Sequence, residues 1–319
     1  MIDLSDGRQQ FIGHLKGKDR SSATILAYGK DIEQLVEYCK KEGKEDASEV
    51  STEDLKSFME QLTGNGYTAK SISRKTNSTK TFFKFLKSSH YLESDPATPL
   101  EHPDFETKPP RILSKMEYRA LRDAARGDLR ISAVIELLLQ TGIRIGELSK
   151  ITTSDINLDQ ESPALHIRPD EGTVKRTIPL TKSVVEALKK YLETRPARIA
   201  TPTRNNAASS GKQSVAGGPK TQNKQSFSAS KALFITKTGK PLLIRNIRTA
   251  IDRYFRLASV KTAKVNDLRH TWVAHQLASG ISLTLVSRLA GHKRVSTTEK
   301  YLHHIPTRAS EDKIKLEEL

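Results

Sequence analysis

Cysteine is almost missing: Cys39 is the only one in 319 residues. No disulfide framework can form, and the composition suits a reducing cytoplasm, the expected location. Long apolar runs are missing too. A bilayer span needs about 20 apolar residues, whereas the greasiest stretch, residues 131–139, is short and holds Glu136, so no membrane association is expected. Residues 1–6 have neither a basic flank nor an apolar segment, and no signal peptide is expected from them. There is no Gly-X-Y period and no long heptad, which excludes a fibrous protein. Acid is scarce: 37 Asp+Glu stand against 53 Lys+Arg, for a formal charge of +16. Residues 194–251 contain no Asp or Glu at all, while Lys and Arg recur throughout. Apolar residues reach 36%, below the usual ~45–50% but compatible with packed cores. The length suits about two domains of roughly 150 residues. A basic chain of this kind points first to nucleic acid as its partner.

Residues 1–95 read as helical. Ile25, Tyr28, Ile32, Leu35 and Val36 recur at three- and four-residue steps, the spacing of one helix face, and Gly43 ends the run. Ser51 is an N-cap with Glu53 and Asp54 in the first turn, followed by Leu55, Phe58, Met59 and Leu62 up to Gly64-Asn65-Gly66. A third segment carries Ile72, Phe82, Phe83, Phe85 and Leu86, and a second face bearing Lys70, Arg74, Lys75, Lys80, Lys84 and Lys87. That face is either solvated or suited to DNA phosphates; Lys70, Arg74, Lys75, Lys80 and Lys84 are the candidate DNA contacts.

Pro96, Pro99, Pro103, Pro109 and Pro110 exclude helix and mark residues 96–112 as a linker. A second domain begins near Leu113. Ser114 and Glu117 make a capping box, and an apolar helix follows over residues 130–140. Two short strands, residues 164–167 and 176–180, flank the turn residues 170–173. Helical spacing returns over residues 183–192, from Arg245 onward, over 267–279 and over 283–289. The expected fold class is therefore mainly α with a small β-sheet. Residues 195–231 are rich in Ser, Ala, Asn, Thr, Gln and Gly. Such a segment buries too little apolar surface to offset its ordering entropy and is predicted to be a disordered basic insertion, either a flexible connector or a cationic strap over DNA.

Three clusters of polar residues stand out. Arg144 sits at the Thr141-Gly142 turn after the apolar helix, with Glu147 three residues on. Arg269 lies near a helix start and precedes His270. His292 and Tyr301 are nine residues apart, separated by a glycine turn and by Ser296-Thr297-Thr298, expected to cap a helix. Together they resemble the tyrosine recombinases, the phage-integrase and Xer-type site-specific recombinases. Thr141-Gly142-Ile143-Arg144-Ile145-Gly146-Glu147-Leu148 resembles that family's first-arginine box, and Leu268-Arg269-His270-Thr271 its second. Leu289-Ala290-Gly291-His292, with Ser296-Thr297-Thr298-Glu299-Lys300-Tyr301, matches its His-to-Tyr spacing. Residues 22–28, 81–86 and 95–97 resemble its core-binding domain.

The resemblance implies a helical SAM-like core-binding domain (1–95), the linker (96–112) and a mixed α/β catalytic domain of the DNA breaking-rejoining fold (113–305). It also implies a tail (306–319) in which Ile314 and Leu316 could serve protomer exchange. Tyr301 is the implied nucleophile, attacking the scissile phosphate to leave a 3′-phosphotyrosyl bond and a free 5′-hydroxyl, without ATP. Arg144 and Arg269 are the implied phosphate clamp, since a guanidinium donates two parallel hydrogen bonds and stays charged. His292 adds a further donor, and Glu147 orients the clamp. With these cations on the phosphate, neither a metal nor a cofactor is expected. The implied partner is double-stranded DNA carrying a specific recombination site, held in a C-shaped clamp. A homotetramer, or a heterotetramer with a related recombinase, would exchange strands through a Holliday junction.

Two positions depart from the family's pattern. Asn266 stands three residues before the second arginine, where the family has a histidine; an amide cannot take a proton near neutral pH. Counting back from Ile178-Pro179-Leu180 puts Glu171 where the family has the lysine that protonates the leaving 5′-oxygen, so Lys175 becomes the candidate general acid. His270 is a further proton-donor candidate, expected to face elsewhere because it adjoins Arg269 on a helix. Three rival readings remain. One is a catalytically impaired sequence-specific DNA-binding protein on the same fold. Another is a type IB topoisomerase-like enzyme. The third, a helix-turn-helix regulator over residues 277–289, leaves Arg144, His292 and Tyr301 unexplained.

Overall fold

The computed structural model describes residues 2–18, 20–106, 108–170, 173–195 and 231–304. Glu171, the insertion between Arg195 and Lys231, and the tail 306–319 lie outside the described residues. The chain divides into two compact units, residues 1–108 and 109–319.

The first unit contains α1 (Leu4–Gly17), α2 (Ser22–Lys41), α3 (Thr52–Gly64) and α4 (Ala69–Ser88). The last three are the helices that the apolar spacing marks. The first escapes that spacing because its buried side chains are sparse, namely Leu4, Phe11 and Leu15. Its start is fixed by Asp3, whose carboxylate accepts from the Ser5 amide at 2.7 Å. Ser51 caps α3 in a reciprocal box with Asp54. Phe11, Phe58, Phe82 and Phe83 are the largest fully buried side chains of this unit. Phe11 and Phe82 meet edge-to-face at 5.4 Å, a geometry favoured by the ring quadrupoles. Ala97 and Leu100 belong to the same core, so the packing of the first unit continues into the proline-rich stretch.

The cationic face of α4 needs correction. Lys75 is buried, and its ammonium donates to Asp31 at 3.0 Å and to Gln34 at 2.6 Å. Arg74 also bonds Asp31, and the Ser78 hydroxyl donates to the same carboxylate at 3.1 Å. A buried carboxylate needs such partners, and α2 supplies Asp31 inside the helix pair. Lys75 is thus a core residue, and Arg74 is occupied in the same network. Lys70 and Lys84 are exposed, while Lys80 donates to the Thr98 carbonyl at 3.2 Å.

The second unit is built around α6 (Leu129–Thr141), which is buried on nearly every side. Around it pack α5 (Lys115–Ala125), α8 (Lys182–Thr194), α9 (Ile244–Leu257) and α10 (Val265–Ala278). Such an all-round apolar helix is stable only as the centre of a core. A short α7 (Ile145–Lys150) follows α6, and α11 (Leu283–Ala290) and α12 (Ser296–Glu299) follow α10. The strands β1 (Ile156–Asn157), β2 (Ala164–Ile167) and β3 (Arg176–Pro179) form an antiparallel sheet in the order β1-β2-β3. The register pairs Leu165 with Ile178 and Ile167 with Arg176. Because side chains alternate across a sheet, Arg176 falls on the same inward face as Ile178, and both are buried. Ser114 and Glu117 form the expected capping box.

Arg195 at the end of α8 donates to the carbonyls of Leu233 at 3.1 Å and Ala232 at 2.7 Å. The chain therefore leaves and re-enters the unit at adjacent points on either side of the insertion. No described helix is long and apolar enough to cross a membrane.

Candidate active site

The turn between α6 and α7 sets the first arginine. Gly142 ends α6 in the left-handed conformation, with φ 59°. A Cβ there would lie 2.2 Å from the Trp272 ring, so both the backbone and the packing require glycine. The turn presents Arg144 just before α7. Its amide donates to Glu147 Oε2 at 2.8 Å, and its Nη1 to Oε1 at 3.2 Å. Its Nη2 reaches across to the Gly291 carbonyl at 2.8 Å.

Glu147 is held still more firmly from the other side. Arg176 donates Nη1 to Oε1 at 2.9 Å and Nη2 to Oε2 at 2.8 Å. The Arg176 Nε donates to the Leu289 carbonyl at 2.8 Å. Burial alone would raise the Glu147 pKa, but the bonds from Arg176 and from the Arg144 amide outweigh it and hold the carboxyl below its ordinary value. Sequence reading treats Arg176 only as a strand residue. The signal was there: pairing with Ile167 turns an arginine inward, and a buried guanidinium requires an acid. Gly291 adopts φ 69°, and a Cβ on it would meet the Arg176 guanidinium at 2.6 Å.

Arg269 projects from α10 onto the same turn, where its Nη1 donates to the Gly142 carbonyl at 2.5 Å. Its remaining N–H groups have no acceptor among the described residues. Burial, with Arg144 close by, pushes its pKa down to about 10, which still leaves it charged at neutral pH. Arg144 and Arg176 both bond the Glu147 carboxylate, and Arg269 adds a third guanidinium that feels its charge without bonding to it. The surplus positive charge makes the site receptive to an anion.

His292 follows Gly291. Its Nδ1 lies 2.7 Å from the hydroxyl of the buried Thr298, leaving Nε2 without a partner among the described residues. Burial, then Arg269, Arg144 and Arg176, push its pKa down to about 4. Tyr301 is buried, and its ring stacks on His292 with centroids 6.4 Å apart and planes 14° apart. Burial raises the phenol pKa, and Arg269 opposes the rise. Ser296 opens α12 without capping it; Val295 occupies the cap and makes no side-chain bond.

The structure also corrects the placement of His270, which does not face elsewhere: its Nδ1 lies 2.6 Å from the Tyr301 hydroxyl. Asn266 is exposed in the first turn of α10. Lys175 is exposed at the start of β3, apart from the buried bonds of its neighbour Arg176. Four more arginines, Arg245, Arg248, Arg253 and Arg256, are exposed along α9. Among the described residues, no three His, Cys, Asp or Glu side chains gather into a metal-ligand set.

Residues 111–308 match the phage integrase family, and residues 9–90 match the phage integrase N-terminal SAM-like domain. The tyrosine recombinase XerC of Bacillus pumilus (strain SAFR-032) is 28% identical over 300 residues, covering 92% of this chain and 90% of that protein. The tyrosine recombinase XerD of Halalkalibacterium halodurans is 28% identical over 316 residues, covering 97% and 96%. Among solved structures, lambda integrase (75-356) as a dimer bound to a COC′ core site aligns with a TM-score of 0.67 at 17% identity, covering 93% of this chain and 97% of that one. The Tn1549 transposon integrase in complex with a circular intermediate DNA aligns with a TM-score of 0.68 at 18% identity, covering 94% and 95%. At these identities the structural matches speak for the fold.

Proposed function

The chain belongs to the phage integrase family and is a tyrosine-type site-specific DNA recombinase; from that premise we propose how its site cuts and rejoins a strand. Tyr301 attacks the scissile phosphate, forming a 3′-phosphotyrosyl bond and releasing a 5′-hydroxyl. The phosphodiester energy is kept in the protein–DNA bond, so rejoining needs no ATP. Arg144 and Arg269 grip the non-bridging oxygens, and His292 donates from Nε2 to the same phosphate. In phosphoryl transfer, positioning and charge stabilisation carry most of the catalysis. Glu147 and Arg176 hold Arg144 and the Gly291-His292 turn in place. Lys175 protonates the leaving 5′-oxygen. The charge on the clamp takes the part that a metal ion plays in other phosphoryl-transfer sites.

The observation that carries this reading is the convergence on one turn. Arg144 bonds the carbonyl of Gly291, His292 is the next residue, and Tyr301 stacks on the His292 ring. Arg269 completes the group through the Gly142 carbonyl, two residues before Arg144.

The partner is duplex DNA with a specific site. Lys70 and Lys84 of the first unit and the exposed arginines of α9 contact its phosphates, which position the protein but do not specify sequence. Four protomers, identical or paired with a related recombinase, act on two sites. A lambda integrase tetramer bound to a Holliday junction, a structural match with a TM-score of 0.66, supports this assembly. The unit boundaries near residue 108 support a core-binding domain before the linker and a catalytic domain after it.

The test is a plasmid carrying two copies of a duplex that the protein selects from a randomised pool. Recombination yields deleted or inverted circles and supports the reading. Relaxed topoisomers without exchange would favour a topoisomerase, and bound but intact plasmid a protein that only binds DNA.

A further inference from the structure

The reaction above needs a destination for the Tyr301 proton, and the position that usually bears a histidine cannot supply one. Asn266 has no side-chain hydrogen bond among the described residues, and its amide is not a base near neutral pH. Four residues on along α10 stands His270. Residues i and i+4 lie above one another on a helix face, so His270 is an imidazole one turn further along the same face. Its Nδ1 is 2.6 Å from the Tyr301 hydroxyl, within the range required of a proton acceptor. The ring centroids are 5.8 Å apart with planes at 42°, which aims the ring edge at the hydroxyl. We propose that His270 is a catalytic base that accepts the Tyr301 phenol proton during strand cleavage, an assignment that rests on Tyr301 being the nucleophile.

The surroundings keep His270 able to accept. Asp267 and Arg269 act on it from its own helix, and His292 and Tyr301 face it from the segment after α11. Burial, assisted by Arg269, outweighs Asp267 and lowers its pKa, so the imidazole is neutral at pH 7. With Nδ1 accepting from the phenol, the ring proton resides on Nε2. Burial raises the Tyr301 pKa as well, so little phenolate forms unaided. As Oη bonds to phosphorus, the Oη–H bond breaks and its proton passes to His270 Nδ1. The bond from phosphorus to the 5′-oxygen breaks, and that oxygen takes a proton from the Lys175 ammonium. Rejoining reverses each transfer: the 5′-hydroxyl returns its proton, and the departing tyrosine oxygen recovers one from the His270 imidazolium.

The experiment uses the full-length protein and nicked duplexes selected from a random pool by covalent capture. Single-turnover cleavage is compared for wild type, His270→Gln and His270→Phe, with DNA affinity measured alongside. Both variants are expected to bind DNA as wild type does and to cleave about 10²–10⁴-fold more slowly, the usual contribution of a positioned base. The wild-type rate should rise with pH as the imidazole loses its proton, and His270→Gln should lose that limb. A fluorinated tyrosine of lower phenol pKa at position 301 should restore His270→Gln, because the proton is then already gone. Cleavage at or above the wild-type rate in His270→Gln, or a defect that the fluorinated tyrosine leaves unchanged, would overturn the proposal. An adduct that persists in Tyr301→Phe would instead overturn the nucleophile assignment, so the two failures are separate.

Discussion

Glu147 and Arg176 face each other as a doubly hydrogen-bonded pair, with both side chains 4% exposed. One partner follows the first arginine and the other lies on β3, 29 residues away in sequence. Arg144 shares the same carboxylate, so the pair locks a residue of the proposed phosphate clamp to the sheet. Removing one member of a buried pair leaves a charge without its partner. Arg176→Met should therefore destabilise the protein by about 3 kcal/mol and slow cleavage. The double variant with Glu147→Leu should regain part of the stability but not the rate. Chemical denaturation and single-turnover cleavage, measured together, separate the two effects.

Gly142 carries both a left-handed backbone and the Trp272 ring against its α-carbon. Gly142→Ala should cost at least about 2 kcal/mol, from strain and overpacking combined. It should also displace the Gly142 carbonyl that accepts from Arg269. A melting curve checks the first consequence, and phosphate-dependent DNA affinity checks the second.

His292 makes stability depend on pH in a defined direction. Its pKa is about 4 in the folded chain against an ordinary 6.5. As pH falls below 6.5, the unfolded chain takes up a proton before the folded one does, so this contribution is present above 6.5 and is lost between 6.5 and about 4. The stability of His292→Gln should fall less than that of wild type over this window. Denaturation at a series of pH values tests the sign.

The cationic residues of α4 should separate by role. Lys70→Ala and Lys84→Ala should each weaken DNA binding and lower the slope of log affinity against log salt by about 1. Lys75→Met should mainly lower the melting temperature, since it leaves the buried Asp31 short of a partner. Salt-titrated gel shifts and thermal denaturation distinguish the classes.

Much of this architecture was legible in the sequence. Apolar spacing gave α2, α3 and α4, and Ser114 with Glu117 marked the start of α5. The hairpin followed from two short β-like runs around turn residues. The three polar clusters were legible because each motif is local, with Glu147 three residues from Arg144 and His292 nine from Tyr301. Residues whose roles depend on distant partners were not. Lys75 looks like surface charge until α2 brings Asp31 to it. Arg176 looks like a strand residue until the register turns it toward Glu147. His270, next to Arg269 on a helix, reads as facing away from the site until the chain after α12 returns Tyr301 to it. Helix period and motif spacing are short-range signals, while partners more than 25 residues away, such as Arg176 for Glu147 and Tyr301 for His270, come only from tertiary packing.

The central claim is that Tyr301 carries the DNA strand. The most direct measurement is mass spectrometry of the covalent adduct formed on a nicked duplex, after nuclease trimming and proteolysis. The account predicts a nucleotide joined through its 3′-phosphate to the peptide containing Tyr301, and no adduct from Tyr301→Phe. A nucleotide on any other residue, or strand cleavage that leaves no adduct, would contradict it.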